Sequence, residues 1–309
     1  MSQVSGTHFL SLADLDASGL AALLDATSAI KASPIPFAAP LRGKTIAMIF
    51  EKPSLRTRLS FDVGMIQLGG HAVYLSPAEV GLGRRESIAD VARVVSRMVD
   101  LVVLRVHAHE TIEEFVRHSG VPVLNGLSDV EHPCQALADI FTMRERKGDL
   151  RRLTAAFVGD GNNVAHSFML ACALSGTRLR VATPSGYEPQ ARFRSAADAA
   201  ARASGGAVEV GNDPVAAVRG ADVVYTDVWT SMGQEQEYER RRRAFHGFQV
   251  NRELMAHAKP DAIVLHDLPA HRGEEITDDV IDGPESAVFD QAENRLHAQK
   301  ALLLRMLGR

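Results

Sequence analysis

The chain has 309 residues, enough for two domains at about 100–200 residues each. Hydrophobic residues make up 46% and charged residues 23%, which excludes a disordered, collagen-like or purely coiled-coil chain. With 34 Lys+Arg against 38 Asp+Glu, the formal charge of −4 argues against general nucleic-acid binding. No apolar run approaches the roughly 18 residues that span a bilayer.

The N-terminal stretch lacks the basic start and long apolar core of a secretory signal. Two cysteines, Cys134 and Cys172, are too few for a disulfide framework or a cysteine-rich zinc site. A cytoplasmic protein that touches neither nucleic acid nor membrane is expected.

Thr45–Phe50 is the first clear strand, a short apolar run bounded by turn signals. A helical pattern follows from about Ser54 to Leu68, where Gly69-Gly70 stops it. Ala72–Leu75 reads as a strand. Ser87–Met98 reads as a helix, with Ser87 and Asp90 resembling a capping box. Leu101–Leu104 and Val121–Leu124 read as strands. The second half repeats the rhythm, with strands at Thr154–Val158, Leu179–Ala182, Val223–Thr226 and Ile263–Leu265.

Strands alternating with helices predict an α/β protein of two domains, each a parallel sheet flanked by helices. The rhythm pauses between Ala136 and Arg152, at a charged helix end. The expected domains are 1–148 and 149–291, with a C-terminal helix, 292–309, packing back on the N-terminal domain.

Open α/β sheets bind ligands beyond the carboxyl ends of their strands. After Phe50 comes Ser54-Leu-Arg-Thr-Arg58, with Ser54 a good N-cap. A helix N-terminus with Arg56, Thr57 and Arg58 beside it suits phosphate, although a capped helix with solvated arginines reads equally well. Arg105 ends the third strand. His132-Pro-Cys-Gln135 opens a helix, where an imidazole and an amide can donate to one ligand oxygen. A buried histidine held by backbone carbonyls is the alternative. Cys134 reads as a small buried apolar side chain rather than a nucleophile.

In the second half, Gly159-x-Gly161 invites a dinucleotide-binding reading. Val164 stands where the third glycine belongs, and the strand ending at Ala182 runs into Thr-Pro-Ser rather than an acidic residue, so the fingerprint is incomplete. Asn162 and Asn163 read as polar ligands on a turn, or as simple turn chemistry. Asp227 at a strand end, followed by the Ser231 hydroxyl, suits the ammonium and carboxylate of an amino acid, or caps the next helix. Glu235–Arg243 reads as a solvated charged helix face. His266 and Asp267 are adjacent and are expected to point in different directions, so no metal site is expected there.

Together these motifs, spread in order over nearly the whole chain, resemble the aspartate/ornithine carbamoyltransferase family. Phe50-Glu-x-x-Ser54-x-Arg-Thr-Arg58 is similar to its carbamoyl-phosphate signature, and His132-Pro-Cys-Gln135 to its second signature. Asp227-x-x-x-Ser231-Met-Gly233 is similar to the element that marks the ornithine branch.

The resemblance implies that the first domain binds carbamoyl phosphate through Ser54, Leu55, Arg56, Thr57, Arg105, His132, Pro133, Cys134 and Gln135, with Asp267, Leu268 and Arg295 completing the pocket. It implies that Asn163, Asp227, Ser231 and Met232 hold L-ornithine. The catalytic set it implies is Arg105, His132 and Asp267, with no metal and no cofactor, in a homotrimer or a multiple of trimers.

Two positions depart from the family pattern. Asp267 stands where the family usually has cysteine. It can hold the amine charged, act as a general base, or select another amine substrate. Gly81 stands where many members have a glutamine that reaches the neighbouring subunit, which leaves that contact open.

Overall fold

Two all-parallel sheets organise the residues that the structure, a computed structural model, describes: 8–231 and 233–308. The chain divides into two units, Met1–Leu137 with Arg295–Arg309, and Ala138–Asn294.

In the first unit the sheet order is β2-β1-β3-β4, with β1 Thr45–Phe50, β2 His71–Leu75, β3 Leu101–Arg105 and β4 Val123–Leu127. The apolar runs of β1 and β3 are buried and central, while β2 is a half-exposed edge. β4 starts two residues later than the Val121–Leu124 expected. Pro122 has no N–H to give the ladder, and only its carbonyl takes part, accepting from the Val102 N–H at 3.0 Å. The helix expected to Met98 closes at Val95, where the Ser96 hydroxyl turns back to the Ala92 carbonyl. Ser87 caps it as expected, accepting from the Asp90 N–H at 3.1 Å.

The second sheet runs β7-β6-β5-β8-β9, with β5 Thr154–Val158, β6 Arg178–Ala182, β7 Ala207–Gly211, β8 Val223–Tyr225 and β9 Ile263–Leu265. Edge strand β7 carries no signal strong enough to expect from sequence. It is half exposed, interrupted by Glu209 and bracketed by glycines.

Four helices matter for the chemistry: α1 Leu55–Gln67, α2 Pro133–Lys147, α3 Asn163–Ser175 and α4 Val288–Leu307. The division between units falls within α2, inside the stretch Ala136–Arg152 where the strand–helix rhythm pauses. The charged residues Arg144–Lys147 form the polar end of that helix. Within the second unit, Asp139 of α2 accepts from the Gln291 amide at 2.7 Å and Thr142 from Asn294 at 3.0 Å. Within the first, Lys300 of α4 donates to Gln67 at 2.9 Å.

α3 is buried from Val164 to Leu174 and packs its Phe168 against Phe157 of β5 and Tyr225 of β8, with ring centroids 6.4 and 4.9 Å away. Phe157 and Tyr225 also meet edge-on at 5.3 Å. This aromatic cluster sits beneath the carboxyl ends of the two strands that carry the polar loops. Phe168→Ala is therefore expected to lower the unfolding free energy by about 3–5 kcal/mol, read by denaturant titration of the purified chain. A loss under about 1 kcal/mol would contradict this packing.

Candidate active site

In the first sheet, β1 connects outward to β2 on one side while β3 lies on the other. The chain therefore parts at the carboxyl ends of β1 and β3, the place where an open sheet forms its crevice. Phe50 pairs in register with Arg105, and the Glu51 N–H donates to the Arg105 carbonyl at 2.7 Å, which fixes the two strand ends together. Ser54 caps α1 and accepts from the Thr57 N–H at 3.3 Å. The Leu55 side chain is 75% exposed, so this residue offers its backbone at the helix start rather than its side chain.

Around this helix start the positive charge is concentrated. Arg105 is buried at the strand end. Arg295 of α4 donates to the Thr57 hydroxyl at 2.7 Å. His132 and Gln135 are buried at the start of α2, with Pro133 as its first residue, where a missing N–H costs nothing. Burial, reinforced by Arg295, Arg105 and Arg56, holds the His132 imidazole well below its ordinary pKa. It is therefore neutral at neutral pH, inside a ring of guanidinium charge. The Cys134 thiol donates to the Asn125 carbonyl at 3.4 Å, and burial pushes it up to about 12. It is a packed thiol and not a nucleophile.

The second sheet repeats the geometry. Its order parts between β5 and β8, and the loops after these strands carry Asn162 and Asp227. The Asn162 side-chain carbonyl caps α3 by accepting from the Val164 and Ala165 N–H groups at 3.0 and 3.1 Å. Its amide donates to Asp227 at 2.7 Å. The Val228 N–H takes the other Asp227 oxygen at 2.7 Å. Asn163 is the first residue of α3. The Ser231 N–H donates to Gln234 at 3.1 Å. Met232 lies outside the described residues.

His266 and Asp267 follow β9, and here the expected divergence of their side chains is corrected. The His266 Nδ1 lies 3.7 Å from an Asp267 oxygen, and Asp267 and Asp227 bring carboxylate oxygens within 4.8 Å of each other. His266 Nδ1 accepts from the Leu268 N–H at 2.9 Å, so its proton is on Nε2, which donates to the buried Glu275 at 3.0 Å. Leu268 holds φ at +59°, a left-handed conformation uncommon for leucine, and this turns its N–H towards His266. Burial first, and then the Asp267 carboxylate, push Asp227 well above the usual carboxylate range. His266 and the Asn162 bond pull the other way.

Asp227, His266 and Asp267 each bring one donor atom within 4.8 Å of the others. Both imidazole nitrogens are already committed, so a metal ion would have to displace an internal hydrogen bond.

The glycine pair after β5 has a structural purpose. A Cβ on Gly161 would sit 2.3 Å from the Pro189 nitrogen, and the Gly161 N–H donates to the Tyr187 carbonyl at 2.9 Å. The Gly159 N–H goes to the Ala182 carbonyl at 3.0 Å. The amides that would cradle a pyrophosphate are thus used by the chain's own loop, which removes the dinucleotide reading.

Charge in the 235–243 segment also differs from expectation. Arg241 is buried, not solvated. It pairs with Asp160 at 2.8 Å and donates to the Trp229 carbonyl at 3.0 Å. Burial outweighs this pairing and pushes Asp160 up to about 6. Sequence reasoning missed this pair because one buried arginine inside a run of four carries no periodic signal. It also missed Glu275, whose role appears only when His266 is placed.

The family model for the carbamoyl-P binding domain of aspartate/ornithine carbamoyltransferases matches residues 7–145, and that for the Asp/Orn binding domain matches 151–306. The chain is 58% identical over 268 residues to an ornithine carbamoyltransferase of Pyrococcus abyssi, covering 87% of this chain and 84% of the relative. It is 52% identical over 307 residues to one of Anoxybacillus flavithermus, covering 99% and 98%. The solved ornithine carbamoyltransferase of Pyrococcus furiosus superposes with a TM-score of 0.95 at 52% identity, covering 100% and 99%. Two domain models in the order of the two units, and relatives matched along nearly their whole length, place this chain in the aspartate/ornithine carbamoyltransferase family.

Proposed function

We propose that this protein transfers the carbamoyl group of carbamoyl phosphate to the δ-amine of L-ornithine, releasing L-citrulline and phosphate. The observation that carries the reading is the cluster of Arg56, Arg105 and Arg295 around a buried neutral imidazole, beside the capped start of α1. That combination suits a small dianion with a polar acyl group. Relatives at 52–58% identity named ornithine carbamoyltransferase favour ornithine over another amine.

Arg56, Ser54, Thr57 and the α1 amides hold the phosphate, which is the leaving group, and Arg295 steadies Thr57. Arg105, neutral His132 and Gln135 face the carbamoyl group and donate to the oxyanion that forms when the amine attacks. Cys134 and Pro133 contribute only by packing this helix start. By likeness to the family, Asp227, Asn163, Ser231 and Met232 are assigned to the amino-acid end of ornithine, and Asp267 and Leu268 to the reacting amine and carbamoyl group. The scheme uses no metal or organic cofactor. Positioning of two substrates supplies much of the remaining acceleration.

A homotrimer fits the exposed apolar side chains Leu55, Leu59 and Ile66, which share one face of α1. No helix among the described residues is long and apolar enough to cross a membrane, and the free, buried Cys134 and Cys172 suit a reducing cytoplasm.

Citrulline should appear when the protein is given carbamoyl phosphate and L-ornithine. Arg105→Leu should reduce kcat by about 10²–10³ as one oxyanion donor is lost. Turnover with another amine but none with ornithine would reject the reading. Light scattering should give a mass three times that of the chain, and a monomer would reject the trimer.

His132 also makes a pH prediction. Its folded pKa lies below the unfolded value of about 6.5. Its contribution to stability is therefore complete above about pH 6.5 and is lost as the pH falls below it. Between about pH 7.5 and 5.5 the Tm of the wild type should fall more than that of His132→Gln. Equal falls would show that His132 titrates normally.

A further inference from the structure

We propose that Arg241 is a positioning residue for the amino-acid substrate: paired with Asp160, it sets the spacing of the two loops assigned to hold L-ornithine. This rests on the carbamoyl-transfer reading above and deepens it.

Five residues close a circuit. The Asn162 amide, after β5, donates to Asp227, after β8, at 2.7 Å. Two residues before Asn162, Asp160 accepts from Arg241 Nη1 at 2.8 Å. Two residues beyond Asp227, the Trp229 carbonyl accepts from the same nitrogen at 3.0 Å. The circuit runs from Arg241 through Asp160, Asn162, Asp227 and Trp229 and back to Arg241. Each loop is thus fastened at two points, and neither can pivot about the Asn162–Asp227 bond alone. Asn163 follows the first fastened segment directly, and Ser231 lies two residues beyond the second. Both therefore inherit their separation from this circuit.

Arg241 is itself fixed from outside the circuit. Its Nε donates to Glu237, one turn back, at 3.1 Å. Its guanidinium carbon lies 5.0 Å from the centre of the Tyr187 ring. The Tyr187 carbonyl in turn accepts from the Gly161 N–H at 2.9 Å, so the loop after β6 is tied to the same point.

Fold stability gives little reason for such a pair. Replacing a buried ion pair by apolar residues of similar volume often leaves a protein as stable as before. Burial pushes Asp160 up to about 6 even with the guanidinium beside it, so holding the pair carries a cost. An apolar replacement cannot supply direction. One planar nitrogen carries two hydrogens, and here they go to a carboxylate and a carbonyl on separate loops. Arg241 thus acts on the substrate through Asn163 and Ser231.

The test is the kinetics of citrulline formation with each substrate varied in turn, read beside the Tm. The proteins are wild type, Arg241→Lys and the double variant Asp160→Leu with Arg241→Met. The double variant removes both charges together, leaves neither one buried alone, and should keep its Tm within a few degrees. Its KM for ornithine should rise about tenfold or more, the equivalent of one lost hydrogen bond to a charged group. Its kcat and its KM for carbamoyl phosphate should change less than about threefold. Arg241→Lys keeps a charged donor on a shorter, unforked side chain and should lie between. An unchanged KM for ornithine in the folded double variant would mean that the pair only fills the core and would overturn the proposal. Equal rises in both KM values would overturn it as well. Should the double variant not fold, Arg241→Lys decides alone: a selective rise in the KM for ornithine upholds the proposal, and a wild-type value overturns it. Absence of citrulline from wild type would instead overturn the carbamoyl-transfer reading itself.

Discussion

Each sheet of this protein reverses its strand order once, and Ser54, Arg105, Asn162 and Asp227 are hung from those two reversals. At a reversal, the loops leaving neighbouring strands run to opposite sides of the sheet, and the backbone groups between them have no covering helix. Arg105 and Ser54 stand at the β1/β3 reversal, Asn162 and Asp227 at the β5/β8 reversal. The buried runs of β1, β3, β5 and β8 supply the rigidity. Their apolar side chains fix the strand ends to which the charged residues are attached, so the cost of ordering those residues is met by the core beneath them.

The two reversals treat charge differently. In the first unit, three arginines and a helix start accumulate positive potential, and the histidine among them responds by staying neutral. A neutral imidazole in such a field donates a hydrogen bond without adding repulsion between cations. In the second unit the surplus is negative. Asp139, Asp160, Asp227, Asp267 and Glu275 are all wholly or largely buried; Arg241 pairs with Asp160, the Gln291 amide with Asp139, the Asn162 amide with Asp227 and His266 with Glu275. Burying carboxylates is costly, and such cost concentrates at functional sites.

Much of this was legible in the sequence, and for identifiable reasons. Continuous apolar runs bounded by turns marked β1, β3, β5, β8 and β9, because fully buried parallel strands need no alternation. Ser54 announced the start of α1 through its capping chemistry. Strand β7 was not legible, since an exposed edge containing Glu209 between glycines has no distinctive pattern. Pro122 shifted β4 by a rule that sequence does contain, yet an apolar run alone conceals which residues can donate to the ladder. Arg241 and Glu275 were invisible because their roles are defined by partners 81 and 9 residues away, Asp160 and His266. The Asp227–Asp267 approach belongs to the same class. Two loops from different strands meet there, and nothing in either loop states that they will.

The turn after β5 has a wider meaning. In a phosphate-binding turn of this shape, free amides set a positive potential. Here Ala182, Tyr187 and Asn162 have accepted the N–H groups of Gly159, Gly161, Val164 and Ala165. The helix start is electrically spent, and the neighbouring carboxylates are left to set the sign of the potential. A fold thus determines where a ligand will rest, while a few turn residues, by using or releasing their amides, determine whether that resting place welcomes an anion or a cation. Likeness of fold between two α/β proteins therefore transfers the location of a site far more safely than its polarity.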